Sequence, residues 1–539
     1  MSKFIKNWRV DLPASLVVFL VALPLCLGIA LASTGNEPRL FSGIIAGVIG
    51  GVVVGFLSGS RIGVSGPAAG LITIVISAIA TLGSFEAFLL AVVLAGVIQV
   101  FAGFMKAGVI GNYFPSSVIK GMLAAIGLTL ILKEIPHAFG YDADFMGDES
   151  FFQVDGHNTF SEILIALNKI SVGAIIITIC SIATLILFET KAIKRFAVFK
   201  ILPGALFVVL LGIGLNLLFK FNFPDLYMDS KHLVTLPQAT NWTEFTAFFT
   251  FPDFSAFKNV NVYVVALTIA LVGSIETLLS VEATDKLDPE KHHTSRNREL
   301  KAQGVGNILS GMLGGLPITQ VVVRSSANIN AGGKSKMSAI LHGVLLFACV
   351  LLIPNLLNLI PLASLASILL ILGYKLAKIS LFKKMYAQGL DQFLPFVATI
   401  IAILFTDLLK GIGIGILFAI ITAIYNKAQK FDSYKDAILH YILFFIKRDY
   451  KNNIRIHHHE KEAITIHFTG KITFINKAKF IKTLDNLPHK IELTFDGSKS
   501  SKIDFEILEV IQDYKHHGRK SKEIEVKTID IDEVEVSNH

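Results

Sequence analysis

The sequence predicts an α-helical polytopic membrane protein followed by a small soluble α/β domain, and three observations predict it. Hydrophobic residues make up 53% and charged residues 17% of 539, with a mean hydropathy of +0.62, which excludes an ordinary soluble domain for most of the chain. Stretches of the length needed to cross a bilayer, about 20 mostly apolar residues, follow one another from Leu12 to Ala428. Beyond Ala428 a charged connector with one amphipathic patch leads, from Ala463, into short alternating segments mixed with amphipathic ones.

Taken in order, Ala14 to Ala32, Phe41 to Leu57, Phe85 to Phe104, Ile170 to Leu187, Leu202 to Phe219, Val262 to Val281, Ile340 to Leu357 and Phe393 to Leu409 each read as a spanning helix. Shorter Gly- or Pro-rich stretches fill the gaps: Pro67 to Leu82, Ser117 to Leu132, Gln303 to Leu313, Arg324 to Ala331, Ala363 to Tyr374 and Gly411 to Ala428. Together they give about fourteen crossings, two of them unusually short. The expected organisation is a transmembrane domain over 1–428, a charged linker over 429–460 and a cytoplasmic α/β domain over 461–539. In that last domain AITIHF and KIELTFD are the expected strands, and NKAKFIKTLDNL and FEILEVIQDYKHHG the expected helices.

Loop charge predicts orientation. Segment 134–167 carries seven acidic residues, among them Glu134, Asp142 and Asp148, and no Lys or Arg. Basic residues gather at 191–200, at 283–301 and at 375–384, loops that a fourteen-crossing count puts in the cytoplasm together with both termini. The expected location is the inner or plasma membrane. MSKFIKNWR precedes the first apolar run without a convincing cleavage pattern, so that helix is expected to be retained. The net charge of +8 reflects these loops and not nucleic-acid binding, because no basic stretch is interleaved with aromatics. Cys26, Cys180 and Cys349 all fall in apolar stretches, which argues against a disulfide framework.

The candidate site begins with two charges in apolar surroundings, Glu276 in ALVGSIETLLSVEA and Arg324 in PITQVVVRSSANINAGG. An ionisable group at membrane depth costs a few kcal/mol on the mildest scale and serves a substrate, an ion or a partner charge. Glu276 and Ser280 share one helix face, a plausible proton or cation site. A structural ion pair of Glu276 with Arg324 or Lys301 is the plainer reading, and for Arg324 a side chain snorkelling to the interface. RIGVSGPAAGLITIVIS and PITQVVVRSSANINAGG repeat one plan, a β-branched or Gly-rich lead-in and then a short helix. Ser65 is expected to cap the first helix, with Pro67 at its start, and the second helix to begin near Arg324 and Ser325. Interrupted segments in corresponding halves point to a midplane transporter site, where half-helix N-termini present free N–H groups to an anion. The glycines of GIGIGI read as helix packing, Asp407 as a helix end, and His457, His458 and His459 as no metal site.

LPASLVVFLVALPLCLGIA, VSGPAAGL, GSIETLLSVEATDKLDP, NRELKAQGVGNILSGMLGGLPITQVVVRSSANINAGG and the C-terminal domain together resemble the sulfate permease family of anion transporters. The resemblance implies a seven-plus-seven inverted repeat, a core domain moving against a gate domain in an elevator-like cycle, and a homodimer. It implies an anion site at Ala68, Ala69 and Gly70 on one side and Val323, Arg324 and Ser325 on the other, with Leu25 and Ile29 setting size and polarity. It implies coupling through Glu276 and Ser280; sodium-coupled bicarbonate relatives carry Asp and Thr there, and proton-linked ones Glu, so H+ is expected before Na+. The C-terminal domain resembles a STAS domain. Its loop FDGSKSSKIDFEIL holds Phe505 where related domains carry a phosphorylated Ser, which excludes switching at that position and leaves Ser498, Ser500 and Ser501 as nearby sites.

The expected function is secondary active transport of a small inorganic oxyanion, sulfate or bicarbonate, in a lipid membrane, with no cofactor, no metal and no enzymatic activity. A sodium-coupled bicarbonate symporter, an uncoupled exchanger or channel, and a membrane signalling protein acting through the STAS-like domain stand as alternatives.

Overall fold

The computed structural model describes residues 7–34, 39–146, 151, 156–190, 203–238, 241–428, 453–459, 463–472, 476–485, 487–488, 490–521 and 524–532. The basic segment 191–200, the acidic Asp148, Glu149 and Asp155, and most of the expected linker lie outside these residues.

The membrane part runs through two matching series. The first is α1 (Trp8–Thr34), α2 (Phe41–Leu57), β1 (Ser65–Pro67), α3 (Ala69–Leu82), α4 (Phe85–Phe104), α5 (Ser116–Ala138), the short α6 (Thr159–Asn168), α7 (Val172–Glu189) and α8 (Gly204–Asn222). After the short α9 (Trp242–Ala247) the second repeats it: α10 (Val260–Leu287), α11 (Arg296–Leu313), β2 (Ile318–Gln320), α12 (Val322–Asn330), α13 (Lys336–Leu352), α14 (Leu362–Leu376), α15 (Ile379–Ala387), α16 (Leu390–Phe405) and α17 (Leu408–Ala428). Each half is two helices, a strand leading into a short helix, two more helices, a short helix and two last helices. Among the described residues, six helical segments are individually long and apolar enough to cross a bilayer, and others are shorter apolar helices. With the short α6 and α15 set aside, each half has seven segments, and the order of the first recurs in the second.

Packing divides the helices into two bundles that mix the halves. In one, α4 packs on α10 and α11, and α1 on α2, α12 and α13. In the other, α5 packs on α14 and α16, α7 on α8 and α14, and α16 on α17. The α16–α17 seam explains GIGIGI: a Cβ on Gly411 would stand 2.3 Å from Ile403, and one on Gly415 2.0 Å from Thr399 Oγ1, so the glycines let the backbones close. Asp407 caps α17, its Oδ1 accepting from the Lys410 N–H at 2.9 Å.

The C-terminal domain is a four-stranded sheet in the order β3 (Ile454–His459), β4 (Ala463–Ile472), β5 (Glu492–Ile503), β6 (Glu525–Ile529). β4, β5 and β6 are parallel, joined through α18 (Lys477–Asp485) and α19 (Phe505–Ser521). Phe468, Phe480, Phe495, Ile507 and Ile511 form its core. β3 lies inside the segment expected to be linker. Its register, Ile454 opposite Phe468 and His457 opposite Thr465, buries Ile454 and turns His457 outward, so the histidines belong to an edge strand.

Candidate functional site

The two lead-ins meet as an antiparallel pair in the middle of the first bundle, Ser65 opposite Gln320, Gly66 opposite Thr319 and Pro67 opposite Ile318, all buried. Pro67 has no N–H to give the ladder. Asn307 on α11 supplies what is missing: its Nδ2 donates to the Ile318 carbonyl at 3.0 Å, and its Oδ1 accepts from the Ile318 N–H at 2.6 Å. Gln303, one turn earlier, donates to Ser65 Oγ at 2.7 Å. α11 therefore holds both strands.

Ser65 and Pro67 belong to the strand, so the expected Ser cap and Pro start do not occur; Ala68 is still extended, and the first helical turn begins at Ala69. On the other side Val321 is extended and α12 begins at Val322, two residues before Arg324. Neither start carries a side-chain cap. The first-turn N–H groups of both are thus not answered by a capping side chain. α12, nine residues long, covers roughly 13 Å at about 1.5 Å per residue, less than half a bilayer.

The expected site residues gather around this crossing. Leu25, Ile29, Ala68 and Val323 are buried in one apolar cluster, while Ala69 and Gly70 are half-buried. Glu276 and Ser280 on α10 are both buried. A Cβ on Gly70 would stand 3.2 Å from each carboxylate oxygen of Glu276, so that carboxylate abuts the first turn of α3. α10 is fixed to β2 by two threonines of one face: Thr277 Oγ1 accepts from the Gln320 N–H at 3.4 Å and Thr284 Oγ1 from Gln320 Nε2 at 3.1 Å.

Arg324 turns into the wall of the bundle. It is fully buried beside the Cys26 thiol, and no oxygen of the described residues accepts a hydrogen bond from its guanidinium. Its Nη1 would lie 2.0 Å from a Cβ on Gly66 and 3.9 Å from one on Gly47; the two glycines make room for it. This burial overturns the snorkelling alternative. Lys301 is also placed elsewhere, its Nζ 4.8 Å from the Phe104 ring centroid. Ser325 joins the halves: its Oγ accepts from the Val64 N–H at 3.0 Å and donates to the Val321 carbonyl at 2.7 Å.

Where the bundles meet, α1 and α12 face α8 and α14. A cavity of about 260 Å³ lies there, lined among others by Val17, Val21, Ala327, Asn330, Ile368 and Lys375. At the opposite end of α1 the interface is shut: a Cβ on Gly28 would stand 1.8 Å from the carbonyl oxygen of Met146. Met146 belongs to the loop after α5, which is pinned by Asp142 between His137 Nδ1 at 2.5 Å and His232 Nδ1 at 2.6 Å.

Two interlocked bundles, a repeated plan and two short helices led by strands that pair at the centre define the class: a multi-pass membrane protein with a transporter architecture. The chain belongs to the sulfate permease family, whose profile matches residues 8–401. Among its relatives is the putative sulfate transporter YvdB of Bacillus subtilis, 29% identical over 77% of this chain and 74% of that protein. The bicarbonate transporter BicA of Picosynechococcus is 26% identical over 77% of this chain and 70% of the relative. Among solved structures, the transmembrane domain of a cyanobacterial BicA aligns with a TM-score of 0.54 at 22% identity, covering 76% of this chain and 98% of that one. SLC26A9 aligns with a TM-score of 0.56 at 15% identity over 98% of this chain and 85% of that one. Members of the family are transporters and not enzymes.

Sequence reasoning misses Thr277, Thr284, Gln303, Asn307 and Gln320. The available signal is their spacing: Gln303 and Asn307 lie one turn apart in an otherwise apolar run, and Thr277 and Thr284 two turns apart.

Proposed function

We propose that the chain is a secondary active transporter of a small inorganic oxyanion, sulfate or bicarbonate, driven by protons and working by movement of the first bundle against the second. The carrying observation is the buried guanidinium of Arg324, set behind β1 where two half-helices begin without side-chain caps. An anion at the crossing meets backbone N–H groups directly and the arginine as a field from behind. A unit charge about 6 Å away at an effective dielectric of about 20 attracts an anion by roughly 3 kcal/mol, on the order of a hundredfold in affinity. The near walls, Leu25, Ile29, Ala68 and Val323, offer only shape, so discrimination rests on charge and on the donor geometry of the two helix starts.

Glu276 against Gly70, with Ser280 on the same helix face, is the coupling site, and H+ is favoured over Na+ because the acid is Glu where sodium-linked relatives carry Asp. The cavity between the bundles lies on the face that carries the α/β domain, and the Met146–Gly28 contact seals the other. With Lys286, Lys291, Arg296, Arg298 and Lys375 on the former face, that face is cytoplasmic and the arrangement inward-facing. Residence in the inner or plasma membrane and assembly as a homodimer rest on the family likeness. The division into a transporter domain over 1–428 and a cytoplasmic domain reaching to 539 belongs to the same reading.

Uptake of radiolabelled sulfate and of bicarbonate into proteoliposomes, under imposed proton or sodium gradients, tests it. Gradient-driven uptake of one anion, abolished by Glu276→Gln, is the expected outcome. Uptake indifferent to both gradients and to the substitution would overturn the coupling role and leave an exchanger or channel.

A further inference from the structure

The α/β domain is joined to the membrane part by a buried network of charges that the transport reading does not use. On α19, Glu509 lies 3.0 Å from Lys120 Nζ and 3.2 Å from Lys286 Nζ, and accepts from Ser116 Oγ at 2.6 Å. Beside it, Glu506 accepts the Ser116 N–H. On α18, Lys477 lies 3.0 Å from Glu282 and 3.3 Å from Glu506, and Glu282 also pairs with Arg296. All of these groups are buried or nearly so.

The membrane-side partners fall on both bundles. Ser116 and Lys120 open α5, in the second bundle. Glu282 and Lys286 close α10 and Arg296 opens α11, in the first; Glu282 stands six residues beyond Glu276 on one helix. A single carboxylate, Glu509, therefore bridges a lysine of one bundle to a lysine of the other.

We propose that the α/β domain is a brake on relative movement of the bundles, with Glu509 as the tie and the arrangement seen here as the braked state. The proposal rests on the elevator reading given above. A buried carboxylate stripped of one cation is penalised heavily, so moving Lys286 away from Lys120 requires Glu509 to leave both or to follow one. Burial would raise the Glu509 carboxyl, but Lys120, Lys286, the Ser116 hydroxyl and Lys477 hold it well below the usual carboxylate range. The tie is thus charged at neutral pH. Lys477 and Glu282 seat the domain on α10, and Glu506 carries that link on to the Ser116 N–H of α5, so Glu509, which meets a lysine on each side, is the more highly charged of two links between the bundles.

The test uses the full-length protein in lipid, with spin labels at Asn168→Cys beside the second bundle and Ser255→Cys beside the first, Cys180 and Cys349 being replaced and the wholly buried Cys26 retained. Glu509→Gln is expected to raise the population of a second inter-label distance about tenfold, the weight of one charge-assisted hydrogen bond, and to speed uptake. Lys286→Met should do the same, because it removes the first-bundle end of the tie, and Lys120→Met should do so to a smaller extent, because Ser116 Oγ of the same helix still donates to Glu509. Distances unchanged in all three variants would overturn the brake, as would slower uptake from a protein whose labels do move. Labels that respond in a protein carrying no sulfate or bicarbonate would keep the brake and remove the transport reading. Coupled uptake with unresponsive labels would do the reverse.

Discussion

The two half-helices that meet at the centre share a backbone plan and differ in chemistry. Around α3 the helix start is the extended Ala68 followed by Ala69 and Gly70, with no polar side-chain atom, and the charge beside it is borrowed from α10. Around α12 the charge is internal: Arg324 lies in the first turn and folds back against the strand of the other half. The repeat thus preserves what two helix starts can do for an anion, while cation and carboxylate are placed asymmetrically, one behind β1 and one in front of α3. A symmetric backbone does not impose a symmetric field, because two or three side chains decide the latter.

Glycine substitutions probe this difference most severely. Gly66→Ala puts a Cβ 2.0 Å from Arg324 Nη1, with β1 unable to retreat from β2. Such overpacking costs about 1–3 kcal/mol or more, and anion uptake by this variant is expected to fall below roughly a tenth of the wild-type rate. Gly70→Ala meets the Glu276 oxygens at 3.2 Å, which a side-chain rotation relieves. Its effect should fall on coupling-ion affinity and leave maximal rate within about a factor of three. Equal damage from both would mean that the halves are not specialised.

Arg324→Gln comes next and has a signature no merely structural residue shares. An unpaired buried charge destabilises its host, so thermal unfolding in detergent is expected at an equal or higher temperature. Anion affinity should meanwhile drop at least about tenfold with the field lost. A lower Tm accompanied by unchanged affinity would show the arginine to be scaffolding.

Asn307→Leu removes both bonds to Ile318 and strands its N–H and carbonyl, at about 1–3 kcal/mol. Substrate KM should rise with little change in turnover if α11 positions the strands, and turnover should fall instead if it only stabilises the bundle. The smallest effect is expected at the far seal. His232 is held above its ordinary value of 6.5, by its bond to Asp142 first of all, so the stability it lends is complete below that value and fades as pH rises through the raised one. Amide exchange in residues 141–146, corrected for intrinsic rate, should be slower at pH 6 than at pH 9, and His232→Gln should shrink the difference, His137 still holding the other oxygen of Asp142.

Much of the site is legible in the amino-acid sequence. Glu276 and Arg324 stand out because charge in an apolar run has few cheap explanations, and the Gly-rich lead-ins stand out by matching each other across more than two hundred residues. Polar but uncharged residues are not legible, since a Thr or Asn in an apolar helix bonds its own turn as readily as a distant strand. The Ser65 cap fails for the same reason in reverse: the local capping chemistry is sound, and pairing with Gln320 outweighs it. β3 reads as linker because its histidines and Arg455 disguise the buried alternate position at Ile454.

By itself the sequence determined the class, the duplicated plan, the presence of two charges at depth and the α/β appendix, because hydrophobic length, periodicity and the cost of a buried charge act locally. Only the tertiary structure decided where those charges point. It sent Arg324 behind β1 and set Glu276 against Gly70, and it placed Glu509 between lysines of opposite bundles. Each of these depends on which helices become neighbours across hundreds of residues, and on the glycines that leave room for a side chain to turn one way and not the other.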